Sequence, residues 1–238
     1  MPQMTISGSI DPLLSVALEK GEAIFAERNA MVAMDSTLAL TGRAKGGLFS
    51  ALSRKFLNDE SFFQQKIEAV DGAGEVLLTP TLPGDVILLN AGEQQYMISD
   101  GAYLASTESV ELEMKSQGLG RALLGNSGGL FVMSTEGQGQ IAVSGFGSVR
   151  AIELDGSRSV YVDNGHLVAW DQALDYELAL NTAKQGFFGK ILHSQTSGEG
   201  IVLKFSGCGS LYVCSRNRGG FVDWLFSQMP QNKAPSNE

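Results

Sequence analysis

LNAGEQQYMISDGAYLAS, residues 89–106, has two counterparts in the same chain: LEKGEAIFAERNAMVAM from Leu18 and LDGSRSVYVDNGHLVAW from Leu154. Each opens on a Gly-containing turn, alternates briefly, turns again at Asn29, Asp100–Gly101 or Asn164–Gly165, and ends in an apolar run. The following element recurs as well. TLALTGRAKGGLF, VELEMKSQGLG and YELALNTAKQGFF each pass from an alternating segment through Lys45, Lys115 or Lys184 into Gly and large apolar residues. Every copy then closes on a Gly-x-Gly turn, at 72–74, 137–139 and 207–209. One such turn in a chain with 29 glycines carries little information, whereas the same order of features three times in phase means duplication.

The copies read as strands. Glu111–Lys115 alternates with period two, as a half-buried strand does. Val86–Leu89 and Leu203–Phe205 are short apolar runs suited to a closely packed interior. Gly, Asn and Asp at the breaks supply the positive φ of tight hairpins. The expected class is all-β, with three similar units around a pseudo-threefold axis or in a row. Each is too small to bury a core alone, so residues 1–229 read as one domain of three repeats, about 18–88, 89–153 and 154–215. GGFVDWLFSQM is the one helical signal outside the loops. Phe221, Trp224, Leu225 and Met229 could share a face, which predicts a C-terminal helix capping the sheets and ending at Pro230. Residues 230–238 read as a flexible tail.

At 238 residues and 43% hydrophobic the chain can bury a substantial core. Its apolar runs are far shorter than the roughly 20 residues a membrane span needs. The N-terminus MPQMTISGSIDPLLSV has neither a secretory block nor a transit-peptide arginine, so a cytoplasmic protein is expected. Two cysteines, Cys208 and Cys214, match neither a redox pair nor a zinc knuckle and are read as reduced thiols. A net charge of −9 argues against general nucleic-acid binding.

Against that acidity, GGLFSALSRKFL at 46–57 is cationic and apolar, with counterparts QGLGRALLG at 117–125 and QGFFGKILH at 185–193. Residues 42–57, 115–125 and 183–193 hold eight of the 17 Lys and Arg and none of the 26 acids. Related by a rotation, these loops would emerge on one face. That candidate docking face comprises Lys45, Leu48, Phe49, Arg54, Lys55, Lys115, Leu119, Arg121, Lys184, Phe187, Phe188 and Lys190. Apolar tips with unopposed cations suit an anionic membrane surface or an acidic protein. Two other readings stay open: the apolar residues cover the end of a β core with the cations as its solvated edge, or they pack subunit against subunit.

Catalytic patterns are sparse. GNSGG at 125–129 resembles a serine-protease nucleophile segment, but His166 and His193 both follow Ser127, the reverse of the order in that class, and the segment aligns with repeat turns. No phosphate-binding loop is present. His166 stands where the other copies have Met31 and Ala102, as a local variant would. No His/Cys metal set or calcium loop can be assembled from spacing. No cofactor and no enzymatic activity are expected. RNRGGF at 216–221 forms a single arginine-glycine unit, read as a turn with exposed cations.

Taken together, GGLFSALSRKFLNDESFF, GEVLLTPTLPGDVILL, DGAYLAS, DNGHLVAW, SGEGIVLKFSGCGSLYV and SRNRGGFVDWL resemble bacterial members of the altered-inheritance-of-mitochondria family, from about Leu18 to Leu225. The family's fold is similar to that of the trp RNA-binding attenuation protein. The resemblance implies three tandem attenuation-protein-like β-sandwich repeats and a ring-shaped homotrimer, with no established enzymatic activity. Mitochondrial relatives associate with the inner membrane. No motif matches the attenuation protein's tryptophan or RNA sites residue by residue. NDESF and NSGGL depart from the SGEGI-like turns usual in the family. The expected function is a non-catalytic oligomeric scaffold, cytoplasmic or peripheral to the inner membrane; the alternative is an RNA- or small-ligand-binding ring.

Overall fold

The computed structural model describes residues 1–44, 63–116, 131–178 and 202–229. One strand, β1 (Gln3–Ser7), precedes three sets of six. The first set is β2 (Leu13–Leu18), β3 (Ala23–Glu27), β4 (Met31–Met34), β5 (Leu38–Ala44), β6 (Phe63–Ala69) and β7 (Gly74–Leu78). The second is β8 (Val86–Ala91), β9 (Tyr96–Ser99), β10 (Tyr103–Thr107), β11 (Val110–Ser116), β12 (Phe131–Gly137) and β13 (Gly139–Ser144). The third is β14 (Val149–Asp155), β15 (Val160–Asp163), β16 (Leu167–Asp171), β17 (Asp175–Leu178), β18 (Val202–Ser206) and β19 (Cys208–Cys214). Helix α1 (Arg218–Gln228) follows. The fold is all-β, as the duplication predicts, and each recurring set begins with the strand that contains Leu18, Leu89 or Leu154.

Pairing shows how the sets connect. The sheets run β1-β2-β7-β4, then β5-β6-β3-β10-β13-β8, then β11-β12-β9-β16-β19-β14, then β15-β18-β17. Each set therefore contributes three strands to one sheet and three to the next, and both six-stranded sheets straddle two sets. The seams are equivalent: antiparallel β3–β10 with Ala26 opposite Ala105, and β9–β16 with Ile98 opposite Ala169. A bulge recurs within β4, β10 and β16, between Met31 and Ala33, Tyr103 and Ala105, and Leu167 and Ala169. The seam that would complete a threefold, β15 with β4, is not made.

Three hydrophobic cores fill the spaces between successive sheets. The first centres on Leu14, Ile24, Ile67 and Leu78, the second on Ile98, Tyr103, Ile141 and Val168, the third on Trp170, Leu203, Phe205 and Leu211. Trp170 meets Tyr176 and Phe205 edge-on, at 5.5 and 5.6 Å between centroids, a favoured aromatic geometry.

The Gly-x-Gly turns join the fifth strand of each set to the sixth, but they are not alike. Gly137 and Gly207 have φ of +88° and +102°, where a side chain is strained, whereas Gly72 does not. In the first set the turn is therefore built differently despite its matching letters. Register also corrects the neighbourhood of His166: its counterparts are Ala30 and Ala102, each the residue before a third strand, and Met31 aligns instead with Leu167.

Helix α1 forms where the sequence predicts, with Asn217 as N-cap accepting from the Gly220 N–H at 3.1 Å. It does not cap the sheets. No residue of α1 is buried, and Phe221, Val222, Trp224, Leu225 and Phe226 are exposed. At about 100° per residue these side chains span more than half the circumference, so no single stripe can be laid against a sheet.

Candidate functional site

The three hairpins β5–β6, β11–β12 and β17–β18 carry the cationic segments singled out in the sequence. Their tips, with Lys45, Leu48, Phe49, Arg54, Lys55, Leu119, Arg121, Lys184, Phe187, Phe188 and Lys190, lie outside the described residues. Lys115 is described: half-exposed on β11, its Nζ is 3.9 Å from the Glu113 carboxylate. The roots of the hairpins are also described, and strand register shows where they point. Ala44 pairs with Phe63, Ser116 with Phe131, and Leu178 with Leu203. Alongside, Gln64 faces Glu27, Val132 faces Ser99, and Val202 faces Asp163.

Those pairings put the turns after Glu27, Ser99 and Asp163 beside the hairpin roots of their own sets. Because β3 and β9 run antiparallel to β10 and β16, the three turns also lie on one end of the molecule. The hairpin roots share that end.

The start of α1 sits among the same turns. Arg218 donates to Asp100 Oδ2 at 3.3 Å. A Cβ on Gly101 would meet the Arg218 guanidinium, and one on Gly165 would collide with the Asn217 side chain. Phe221 packs edge-on against Phe146 at 5.2 Å, and Trp224 stacks on Phe221 at 6.0 Å. The helix is thus anchored by its first turn, while Trp224, Leu225, Phe226 and Met229 are 47–67% exposed. Sequence reasoning found the helix and missed its role, because an apolar helix signal is the same for a buried cap and for an exposed projection.

Electrostatics at this end are local. Burial pushes the Glu27 carboxyl up to about 7, the Asp100 carboxylate adds to the rise, and Arg218 opposes it. Arg218 is therefore held between the two carboxylates of neighbouring sets. Arg216 lies over the Phe146 ring at 5.9 Å. Both arginines of RNRGG therefore make contacts within the fold, Arg218 with Asp100 and Arg216 with Phe146.

Among the described residues no three His, Cys, Asp or Glu side chains come together as a metal set. His166 donates its Nδ1 proton to the Cys214 carbonyl at 2.8 Å, a structural bond closing the third set. Cys208 is exposed and Cys214 buried, both free, and burial raises the Cys214 thiol above its ordinary value. Among the described residues no helix is long and apolar enough to cross a membrane.

Comparison with known proteins agrees over nearly the whole chain. An uncharacterized protein of Streptococcus pyogenes serotype M6 is 36% identical over 235 residues, covering 96% of this chain and 91% of the relative. A crystal structure of a Streptococcus pyogenes protein from a structural genomics programme superposes with a TM-score of 0.77 at 33% identity, covering 96% of this chain and all of that one. The family model described as mitochondrial biogenesis AIM24 matches residues 4–216, and with these streptococcal relatives it makes the chain a bacterial member of the AIM24 family.

Proposed function

We propose that the protein is a non-catalytic scaffold that docks by its hairpin end on an anionic membrane surface. The observation that carries this reading is the exposed apolar helix α1 rising from the same end as the roots of three cationic, apolar-tipped hairpins. Inserting an aromatic or leucine side chain is worth about 1.5–3 kcal/mol, and a cation near an anionic leaflet about 1 kcal/mol. Three of the former with several of the latter reach the roughly 8 kcal/mol of micromolar binding. Elsewhere the acidic surface would be repelled, which orients the molecule.

Vesicle flotation tests it. The wild type should float with vesicles containing phosphatidylglycerol, not with purely zwitterionic ones, and lose binding as salt rises. Two variants should stay at the bottom: Phe49→Asp/Leu119→Asp/Phe187→Asp, and Trp224→Asp/Phe226→Asp. If the wild type never floats, or floats no better than both variants, the membrane reading fails, and an acidic protein becomes the occupant to seek.

A further inference from the structure

Glu27 closes β3 at the point where the first set, the second set and α1 come together. Asp100, in the turn between β9 and β10, and Arg218, the first residue of α1, both act on its carboxyl. Arg218 lies across that turn. Its Nη2 is 3.3 Å from Asp100 Oδ2, and a Cβ on Gly101 would come within 2.7 Å of its Nη1, so the guanidinium occupies room that the glycine leaves. On the other flank, β6 sets Gln64 directly opposite Glu27, which places the two side chains on one face of the sheet with Cβ atoms about 5 Å apart. Gln64 is 2% exposed. Its Nε2 donates to the Tyr103 hydroxyl at 3.1 Å, while its Oε1 is buried and receives no hydrogen bond among the described residues. A buried acceptor left without a donor is costly. The carboxyl opposite it becomes a donor when it takes up a proton.

We infer that Glu27 switches α1 between a tight and a loose attachment: as an anion it joins Asp100 in holding Arg218, and as an acid it donates to Gln64 Oε1 and leaves Arg218 to Asp100 alone. The two partners dictate the two states. A guanidinium pairs with the carboxylate, whereas an amide oxygen only accepts and so binds the carboxyl only while it carries its proton. Among the other ionisable groups on the elements around Glu27, Lys66 of β6 is paired with Glu68 and Glu108, at 2.9 and 3.4 Å, and burial keeps the Tyr103 hydroxyl protonated. Arg28 follows Glu27 in the chain and Arg43 stands opposite Gln64 on β5; both keep their charge throughout, so Glu27 is the group that changes. Because burial raises its carboxyl to about 7, the exchange falls near neutrality. Linkage fixes the sign: Arg218 favours the anion, so the anion favours the attachment of Arg218. The first turn of α1 is held more tightly above about pH 7 than below it, the opposite of the whole fold's response, for which the buried anion is a cost. This inference stands apart from membrane docking and needs no lipid.

Hydrogen exchange and carboxyl titration of the full chain test it together. Protection of the α1 amides, taken relative to the unstructured rate at each pH, should rise about two- to fivefold from about pH 6 to about pH 8, the effect of one partly exposed ion pair. Glu27→Gln, fixed in an acid-like form, should show the lower protection at both pH values with unchanged circular dichroism. Asp100→Asn should lower protection throughout yet keep the step, since Glu27 still titrates. Followed by carboxyl-carbon NMR, the Glu27 midpoint should move upward in Arg218→Met, and in the wild type the Gln64 side-chain amide resonances should shift with that same midpoint. Protection indifferent to pH, a step that survives in Glu27→Gln, a Glu27 midpoint unmoved by Arg218→Met, or a Gln64 amide that does not follow it would each overturn the switch.

Discussion

Glu27 is the residue whose environment has the clearest consequence. Its ordinary carboxyl value is 4.5, and in the folded protein it is about 7. The native state therefore holds this proton more tightly than the unfolded chain. Its contribution to stability is full below about pH 4.5, declines as pH rises toward 7, and is gone above that. Glu27→Gln should remove that decline, so urea unfolding at about pH 8 should show the variant more stable than the wild type, with the difference vanishing near pH 4.5. Arg218→Met removes the opposing cation and should extend the decline above pH 7. A second residue, Tyr103, has its hydroxyl in the first seam, 3.0 Å from the Phe25 carbonyl, 3.1 Å from the Gln64 amide and 3.0 Å from Ser106 Oγ. Tyr103→Phe leaves buried polar groups without that partner and should cost about 1–3 kcal/mol by denaturant unfolding.

At the scale of elements, turns and the helix separate what letters show from what they hide. Gly72 and Gly137 occupy matching places in matching motifs, yet a Cβ on Gly137 would collide with the Ser109 carbonyl at φ +88°. A Cβ on Gly72 would meet only the Thr37 methyl, at 3.5 Å. Gly137→Ala should therefore lower the melting temperature by several degrees, and Gly72→Ala should leave it nearly unchanged, by calorimetry. The strands themselves were legible because alternation and Gly breaks repeat three times, and Val110–Ser116, Val86–Ala91 and Val202–Ser206 form where those patterns lie. Helix α1 was legible as a helix from the spacing of its apolar residues and from Pro230 after it. Its exposure was not, because spacing records a potential contact and not whether another element supplies it.

Across the whole molecule, two seams and their missing third govern the energetics. Leu104 and Val32 are equivalent in sequence register, but only Leu104 is enclosed. Leu104→Ala should cost about 2–5 kcal/mol, and Val32→Ala close to nothing in a dilute single chain, a contrast that paired urea titrations would measure. By itself the sequence determined the all-β class, the threefold duplication, the strand positions and the sorting of cations into three related segments. Those properties are local: alternation, turn residues and charge are written residue by residue. Only the tertiary structure decided which copy of a repeated strand is enclosed and which is left at an edge, and on which end the hairpin roots and α1 meet. MVAM, YLAST and LVAWD are all apolar third strands, and burial is a property of the neighbour that arrives, not of the strand that waits for it.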